Sequence, residues 1–236
     1  RYSRSINLFR RAFHLIRDEL ALFGATALLV LYVAAVGIYF FEYNGTLAPL
    51  SWHEKWVAAL FHSVSARTAG FNTVNIGHFS DTTLFLLIVL MWIGGSPAST
   101  AGGIKTTTFG VMLATLKAML NRREEVSIFK RGISPLAVKK SLSVAFTASA
   151  LLAILFLLLL FFFFGDFKEL MFELFSAFNT VGLSTGITAE LSPIGKLIIV
   201  VAMFFGRIGP LTLAFSLAER VSKGKYAYPQ ERVIIG

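Results

Sequence analysis

The stretch Thr68-Ala69-Gly70-Phe71-Asn72-Thr73 recurs 112 positions later as Thr180-Val181-Gly182-Leu183-Ser184-Thr185. The same offset places Met91-Trp92-Ile93-Gly94 on Met203-Phe204-Phe205-Gly206. A match that keeps its register over this length indicates an internal repeat, because chance similarity does not stay in register. The fold is therefore predicted to contain two related units that run in the same direction.

The composition predicts that both units lie in a membrane. Of the 236 residues, 56% are hydrophobic and 15% are charged, whereas soluble domains carry about 25% charged residues. The mean hydropathy of +0.71 excludes a cytosolic enzyme domain and a disordered chain. The sequence has no cysteine, which excludes disulfides and cysteine metal sites, and its four histidines show no metal-ligand spacing.

Long uncharged apolar runs define the predicted spans, since a membrane helix needs about 20 residues. These spans are Leu20–Phe41, Ser141–Phe164 and, interrupted by Lys196 and Arg207, Ile194–Leu217. Leu84–Ile93 is equally apolar but stops at two glycines, and Trp56–Ala66 and Leu170–Phe178 are too short to cross. Each unit is thus predicted as a span, a short helix, a polar turn and a second span.

The basic residues predict the orientation. The amino end, the middle connection and the tail hold 16 of the 22 Lys and Arg residues, whereas the intervening segments carry acidic residues such as Glu42 and Glu173. Because basic loops stay in the cytoplasm, we expect a multi-pass protein of the plasma (inner) membrane with both termini cytoplasmic. The net charge of +9 then reflects topology, so the expected surroundings are membrane lipid and no nucleic acid.

The two turns have the chemistry of a cation site. A short helix that enters from outside and ends within the membrane directs the negative end of its dipole inward. Gly70 and Gly182 can adopt positive φ, which lets successive carbonyls face the same way. Such carbonyls can replace the hydration shell of a monovalent cation, and the lack of a carboxylate in either turn argues against calcium. Two re-entrant loops that only pack are the structural alternative.

The second span of the first unit is interrupted between Gly94 and Gly103. Four glycines and one proline within ten residues prevent a helix there, and the helix is predicted to resume from about Ile104 to Leu120. The run ends like a nucleotide-binding loop, but Ile104 stands between the last glycine and Lys105, and no strand precedes it. Lys105 is expected either to serve this loop or to extend toward the cytoplasm.

Two arginines require partners. Arg207 lies at the centre of the last span, where an arginine costs roughly 3 kcal/mol on insertion scales. Backbone carbonyls of the interrupted segment are its expected partners, so Arg207 either plugs the pore or acts as a structural tether. Arg67, just before the first turn, is expected to tie down the carboxyl end of its short helix, and repulsion of ions is its alternative role.

Several motifs carry a family resemblance: TAGFNT and TVGLST, MWIGGSPASTAGGIKTTTFG, FFGRIGPLTLAFSLAER and the tail YPQERVIIG. They resemble the Trk/Ktr/HKT cation transporters, and the Ktr-type membrane subunit in particular. In that family four membrane–pore helix–membrane repeats surround one pore. The resemblance implies an all-α integral membrane fold in which this chain is the carboxyl-terminal half, with the third repeat at 1–120, a cytoplasmic connection at 121–140 and the fourth repeat at 141–236.

The resemblance also implies the site. The filter residues are expected to be Thr68, Ala69, Gly70, Phe71, Asn72, Thr180, Val181, Gly182, Leu183 and Ser184. The gate is expected to consist of Gly94, Gly95, Ser96, Pro97, Ala98, Ser99, Thr100, Ala101, Gly102, Gly103, Lys105 and Arg207. The implied function is potassium uptake by a channel-like transporter, with no enzyme activity, no cofactor, K⁺ as the transported ion and Na⁺ as a candidate activator.

The implied partners are the first half of the same subunit, a second full subunit in a homodimer and a cytoplasmic nucleotide-binding regulatory ring of the KtrA type. Two other functions stay open. One is a secondary cation transporter with alternating access, although such folds usually carry inverted repeats. The other is a non-conducting membrane scaffold subunit, which would not need two matched glycine turns.

Overall fold

The computed structural model describes residues 24, 28–96, 99, 101–123, 125–128, 131–163 and 165–209. Seven helices dominate this part of the chain. They are α1 (Leu28–Glu42), α2 (Trp52–Ser65), α3 (Asp81–Trp92), α4 (Thr106–Leu120), α5 (Pro135–Phe162), α6 (Phe167–Phe178) and α7 (Pro193–Ile208). A single 3-10 turn precedes α3 at Ile76–His78 and another precedes α7 at Ile187–Ala189. The fold is thus helical, in agreement with the predicted class.

The two units start their second long helix with the same cap. The Ser80 hydroxyl before α3 accepts the Thr83 N–H at 3.4 Å, and the Ser192 hydroxyl before α7 accepts the Gly195 N–H at 3.1 Å. Each bond satisfies an N–H group that the start of a helix leaves without an intrahelical partner. The two caps lie 112 positions apart, so these helices begin in the register of the turn motifs.

By length and composition, α5 is the one described helix that can cross a membrane. It has 28 residues and reaches a mean hydropathy of 2.7, while α1, α3 and α4 are shorter apolar helices. The predicted spans Leu20–Phe41 and Ile194–Leu217 extend beyond α1 and α7 into residues outside the described ranges. Their full lengths therefore stay predictions.

The segment between α4 and α5 has regular structure of its own. Ser127–Ile128 and Arg131–Gly132 form a short antiparallel ladder, β1 and β2. α5 begins at Pro135, within the segment 121–140 that the sequence assigns to the cytoplasmic connection. The Ser134 hydroxyl accepts the Ala137 N–H at 3.2 Å, and a proline suits the first position of a helix because its missing N–H would have no partner there. The cap thus starts the helix before its apolar part.

α6 lies at the centre of the described fold, packed against α3, α5 and α7. One buried cluster joins Leu170 and Phe178 of α6 to Leu159 of α5 and to residues of α7. A second cluster joins Phe172 of α6 to residues of α3 such as Met91. Within a membrane such close packing, and not exclusion of water, holds helices together. α6 therefore connects the two units.

Polar side chains join helix ends at the start of α3. Glu42, only 1% exposed at the end of α1, accepts the Ser80 N–H at 2.8 Å and the Thr83 hydroxyl at 2.6 Å. Lys168 Nζ, at the start of α6, donates to Asp81 Oδ1 at 2.9 Å. These contacts tie α1 and α6 to the same end of α3.

Candidate functional site

The two repeated turns follow directly after α2 and α6. In the first turn Thr68 has a φ of 67° and Gly70 a φ of 75°, and in the second Thr180 has 54° and Gly182 has 92°. Ala69 and Val181, which lie between these residues, do not have positive φ. The sign of φ therefore alternates over three residues in each turn. The sequence predicts positive φ for the glycines, but the left-handed threonines are an addition from the structure.

A left-handed threonine is costly, because a β-branched side chain crowds the backbone at positive φ. Hydrogen bonds from the preceding helices hold the turns in this conformation. The Ser65 carbonyl accepts the N–H groups of Ala69 and Gly70 at 3.1 and 3.2 Å, and the Ser176 carbonyl accepts the Val181 N–H at 2.8 Å. The helix ends therefore impose the strained turns, which is typical of functional sites.

The turns of the two units contact each other at their glycines. A Cβ added to Gly182 would lie 3.5 Å from the Gly70 Cα, and a Cβ added to Gly70 would collide with the Val181 carbonyl oxygen. Only glycine fits at Gly70, both for its φ and for this close approach. The structure thus brings both predicted glycines to one point.

The chain segments that return from the turns differ in exposure. Phe71 is 70% exposed and Asn72 is also exposed, whereas the equivalent Leu183 is 2% exposed. The Asn72 side-chain amide donates to the Val74 carbonyl at 3.1 Å, and the Ser65 hydroxyl donates to the Phe71 carbonyl. Of the predicted filter residues, those of the second turn are therefore the more enclosed.

The interrupted segment of the first unit leaves α3 and returns to the same place. Ile93 and Ile104 form a parallel bridge, in which Gly94 N–H donates to the Ile104 carbonyl at 2.8 Å. The Thr106 N–H donates to the Gly95 carbonyl at 3.1 Å. We name residues 96–103, between these paired ends, the gate loop after the role that the sequence predicts for them. Its Pro97, Ala98 and Thr100 lie outside the described residues.

The gate loop contacts the second turn. Its Gly102 N–H donates to the Thr180 hydroxyl at 2.8 Å. Gly103 has a φ of 68°, and a Cβ added there would collide with the Asn179 side chain. The structure thus joins the predicted gate of one unit to the predicted filter of the other.

Lys105 serves the gate loop, the first of the two roles that the sequence leaves open. Its ammonium donates to the Ala101 carbonyl and, at 3.4 Å, to the Ser99 carbonyl. Arg207, in the last turn of α7, lines a cavity together with Thr180, the residue that accepts the hydrogen bond from Gly102 of the same loop. The predicted gate residues Lys105 and Arg207 therefore lie in one region.

Beside the second turn lies a cavity of about 640 Å³. Its lining includes Thr180–Ser184, together with Glu173 and Ser176 of α6, Thr188, and Met203, Phe204 and Arg207 of α7. Residues of the second turn, residues with hydroxyl side chains and Glu173 therefore line the same cavity as Arg207. Among such groups, backbone carbonyls are the ones that replace the hydration shell of a monovalent cation in selectivity filters.

Two buried carboxyl groups are missed by the sequence reasoning, which counts both with the acidic external segments. Glu42 is 1% exposed and Glu173 is 7% exposed. The Glu173 carboxyl group accepts a hydrogen bond from the Thr188 hydroxyl. A signal for Glu173 exists in the sequence, since it lies in the middle of the apolar run Leu170–Phe178. An ionisable residue in such a run is a functional candidate by default.

Arg67 does not make the contact expected of it. Its Nε and Nη2 atoms are buried and have no hydrogen-bond partner among the described residues. The carboxyl end of α2 is closed instead by backbone bonds, such as that from the Ala66 N–H to the His62 carbonyl at 3.0 Å. The expectation that Arg67 ties down this helix end is therefore wrong for the described part of the chain.

Comparison with known sequences identifies the family. Residues 2–227 match the family described as TrkH, cation transport protein. Ktr system potassium uptake protein D of Bacillus subtilis is 43% identical over 202 residues, which are 86% of this chain and 45% of that protein. Ktr system potassium uptake protein B of Vibrio alginolyticus is 40% identical over 230 residues, 97% of this chain and 50% of that protein. The chain thus spans about half the length of these relatives.

A further relative is the potassium/sodium uptake protein NtpJ of Enterococcus hirae, 37% identical over 202 residues, which are 83% of this chain and 45% of that protein. The crystal structure of the potassium transporter TrkH from Vibrio parahaemolyticus matches 82% of this chain and 43% of its own, with a TM-score of 0.67. At 20% identity this likeness shows the fold alone. The family is one of cation transporters and not of enzymes. The chain therefore belongs to the TrkH family of membrane cation transport proteins.

Proposed function

We propose that this chain forms the carboxyl-terminal half of a potassium-uptake subunit of the plasma membrane, with one repeat at 1–120 and another at 141–236. Its relatives named as Ktr potassium uptake proteins support this assignment, because they match nearly the whole chain at 40–43% identity. The chain spans half of their length, so two further turns from the rest of the subunit would complete the ring around the ion.

The matched pair of left-handed turns is the observation that carries the proposal. At Thr68/Gly70 and again at Thr180/Gly182 the sign of φ alternates. Such an alternation would turn neighbouring carbonyls toward one side. The carbonyls of Thr68–Asn72 and Thr180–Ser184 would then replace water around K⁺. The contact between Gly70 and Gly182 supports a shared site, since the two turns lie side by side there.

The gate loop supplies the second part of the proposal. It ends in the bond from Gly102 to Thr180, so the loop lies next to the second turn and could obstruct a path that passes it. Lys105 holds the loop through the Ala101 carbonyl, and the nearby Arg207 adds positive charge that would repel K⁺. We infer that conduction requires the loop to leave Thr180.

The remaining assignments rest on the family. Both termini and the connection 121–140 would face the cytoplasm, where a nucleotide-binding ring of the KtrA type would bind a homodimer of full subunits. The word "system" in the names of the Ktr relatives supports a protein that works with other components. Sodium is a candidate activator or second cargo, because NtpJ is named for both ions.

The test is potassium uptake in a bacterium that lacks its own uptake systems. The complete subunit would be compared with its Gly70→Ser and Gly182→Ser variants at matched amounts in the membrane. Both serines must adopt positive φ, and at position 70 the Cβ also meets the Val181 carbonyl. We expect reduced growth at low K⁺ and altered K⁺/Na⁺ preference, measured with and without added Na⁺.

Gly110→Ser is the matched control, because Gly110 lies in α4 with open space around a built Cβ. It should leave uptake unchanged. If the native subunit restores no uptake, or if both turn variants leave uptake and ion preference intact, the turns are structural and the scaffold function is favoured. If uptake requires a driving-ion gradient and saturates like a carrier, an alternating-access transporter is favoured instead.

A further inference from the structure

Glu173 is the acidic residue among the described residues that line the cavity beside the second turn. It lies in the middle of α6, is 7% exposed and lines the cavity beside Thr180–Ser184. Its Oε1 accepts a hydrogen bond from the Thr188 hydroxyl, while its Oε2 has no partner among the described residues. Burying a carboxyl group is unfavourable unless it is hydrogen-bonded, so the bond to Thr188 is what stabilises it there.

Because each hydroxyl group has a single proton, the donor in each hydrogen bond around Thr188 can be assigned. Thr188 has one hydroxyl proton and donates it to Glu173, so the 3.2 Å contact between the Ser184 and Thr188 hydroxyls must use the Ser184 proton. The Ser184 oxygen in turn accepts the Gly186 N–H at 3.0 Å. A chain of hydrogen bonds therefore runs from the returning limb of the second turn through Thr188 and ends on Glu173.

The first unit anchors its returning limb with different chemistry. Phe61 and Ile76 stand where the repeat register would place counterparts of Glu173 and Thr188. In α2 the adjacent residue, His62, takes this role. Its Nδ1 lies 2.8 Å from the Ala58 carbonyl and must donate to it, so its Nε2 accepts the Thr73 N–H, at 3.4 Å. Each short helix thus sends one polar side chain to its own limb.

We propose that Glu173 is a positioning residue for the second turn, which sets the turn's ion preference by holding Ser184 through Thr188. The inference rests on the proposed function, because it assigns this role beside the proposed filter. Glu173 does not touch the ion. It fixes the limb immediately after Gly182, and that limb determines where the carbonyls of the turn lie.

The test uses the complete subunit in the uptake-deficient bacterium, at matched amounts in the membrane. The variants are Glu173→Ala, Glu173→Gln and Thr188→Val, and the readout is the ratio of K⁺ uptake to Na⁺ uptake. Glu173→Ala and Thr188→Val should lower this ratio by up to about fivefold, which is reached if the full net contribution of one hydrogen bond favours the K⁺ complex over the Na⁺ complex. Glu173→Gln should keep most of the ratio, because an amide oxygen still accepts the Thr188 proton.

Glu169→Ala is the matched control, one turn earlier in α6, and should leave the ratio unchanged. If Glu173→Ala does not reach the membrane, Thr188→Val decides, because it keeps the side-chain volume and removes only the hydroxyl. Native ratios in Glu173→Ala and Thr188→Val, with an altered ratio in Gly182→Ser, would overturn this inference and leave the proposed function intact. Absence of K⁺ uptake by the native subunit would overturn both.

Discussion

Gly94 and Gly206 occupy equivalent positions in the two units but lie in different structures. At Gly206 α7 is still helical, and it passes so close to the end of α6 that an added Cβ would collide with the Phe178 carbonyl oxygen. At Gly94 α3 has already ended, and an added Cβ would meet the Ile104 carbonyl oxygen at 3.0 Å and that of Gly102 even closer. Gly206 lets α7 pack closely against α6, and Gly94 lets the backbone of the interrupted segment return close to the end of α3.

This difference separates what the repeat determines from what local sequence determines. The repeat sets the helix order, the serine caps and the left-handed turns. The interruption depends on the glycines and the proline after Gly94, which have no counterpart after Gly206 apart from Gly209 and Pro210. At this position the second unit therefore packs a helix against the end of α6, whereas the first unit forms a loop.

The largest expected effect is that of a substitution at Gly206, the glycine of the pair Gly94/Gly206 that lies within a helix. Gly206→Ala should lower the free energy of unfolding by about 1–3 kcal/mol, because the methyl group forces α7 away from α6. The measurement is thermal unfolding of the purified complete subunit in detergent. Gly110→Ala is the control, since its methyl group meets open space and alanine favours a helix. Equal stability of Gly206→Ala and the native protein would contradict the tight contact with Phe178.

The next effect separates the two turns. Thr180→Val removes the acceptor for the Gly102 N–H and should loosen the gate loop, whereas Thr68→Val has the same backbone strain but removes no hydrogen bond seen in the described residues. Leaving the Gly102 N–H without a partner costs about 1–3 kcal/mol. Hydrogen exchange at the gate loop should therefore become faster in Thr180→Val only. Equal exchange in both variants would mean that the hydroxyl does not hold the loop.

The smallest effect concerns the contact between the two units at the amino ends of α3 and α6. The hydrogen bond from Lys168 to Asp81 raises the pKa of the Lys168 ammonium. Its contribution to stability is therefore present at neutral pH and is lost only as pH rises through that elevated pKa. Lys168→Met should lower the melting temperature slightly, equally at mildly acidic and mildly alkaline pH, and less at high salt. A marked change between those two pH values would contradict this assignment.

The sequence predicts the backbone conformation best at positions where few residue types can adopt it. Gly70 and Gly182 are such cases, because positive φ next to another backbone leaves glycine as the natural choice. Thr68 and Thr180 are the opposite case. β-branched residues rarely adopt positive φ, so their conformation follows from the helix ends that precede them and not from their identity.

The sequence pattern also does not indicate how deeply a side chain is buried. Glu42 and Glu173 fit the acidic pattern of external segments, yet both are buried and hydrogen-bonded to hydroxyl groups. The start of α5 shows a related limit, since the apolar run begins at Ser141 while the cap that starts the helix is Ser134. Hydropathy locates the membrane-crossing part, and the cap determines how far the helix continues beyond it.

The length of α5 has a consequence for the connection 121–140 that precedes its apolar part. Its 28 residues extend about 42 Å, whereas the hydrocarbon layer is about 30 Å thick. A rigid rod of this length must either tilt or protrude, and the two lysines just before Ser141 favour protrusion at the headgroup level. The protruding start of α5 would then hold the ladder of β1 and β2 away from the lipid surface. The thickness of the bilayer would therefore determine how far the start of α5, and the ladder that precedes it, extends beyond the headgroups.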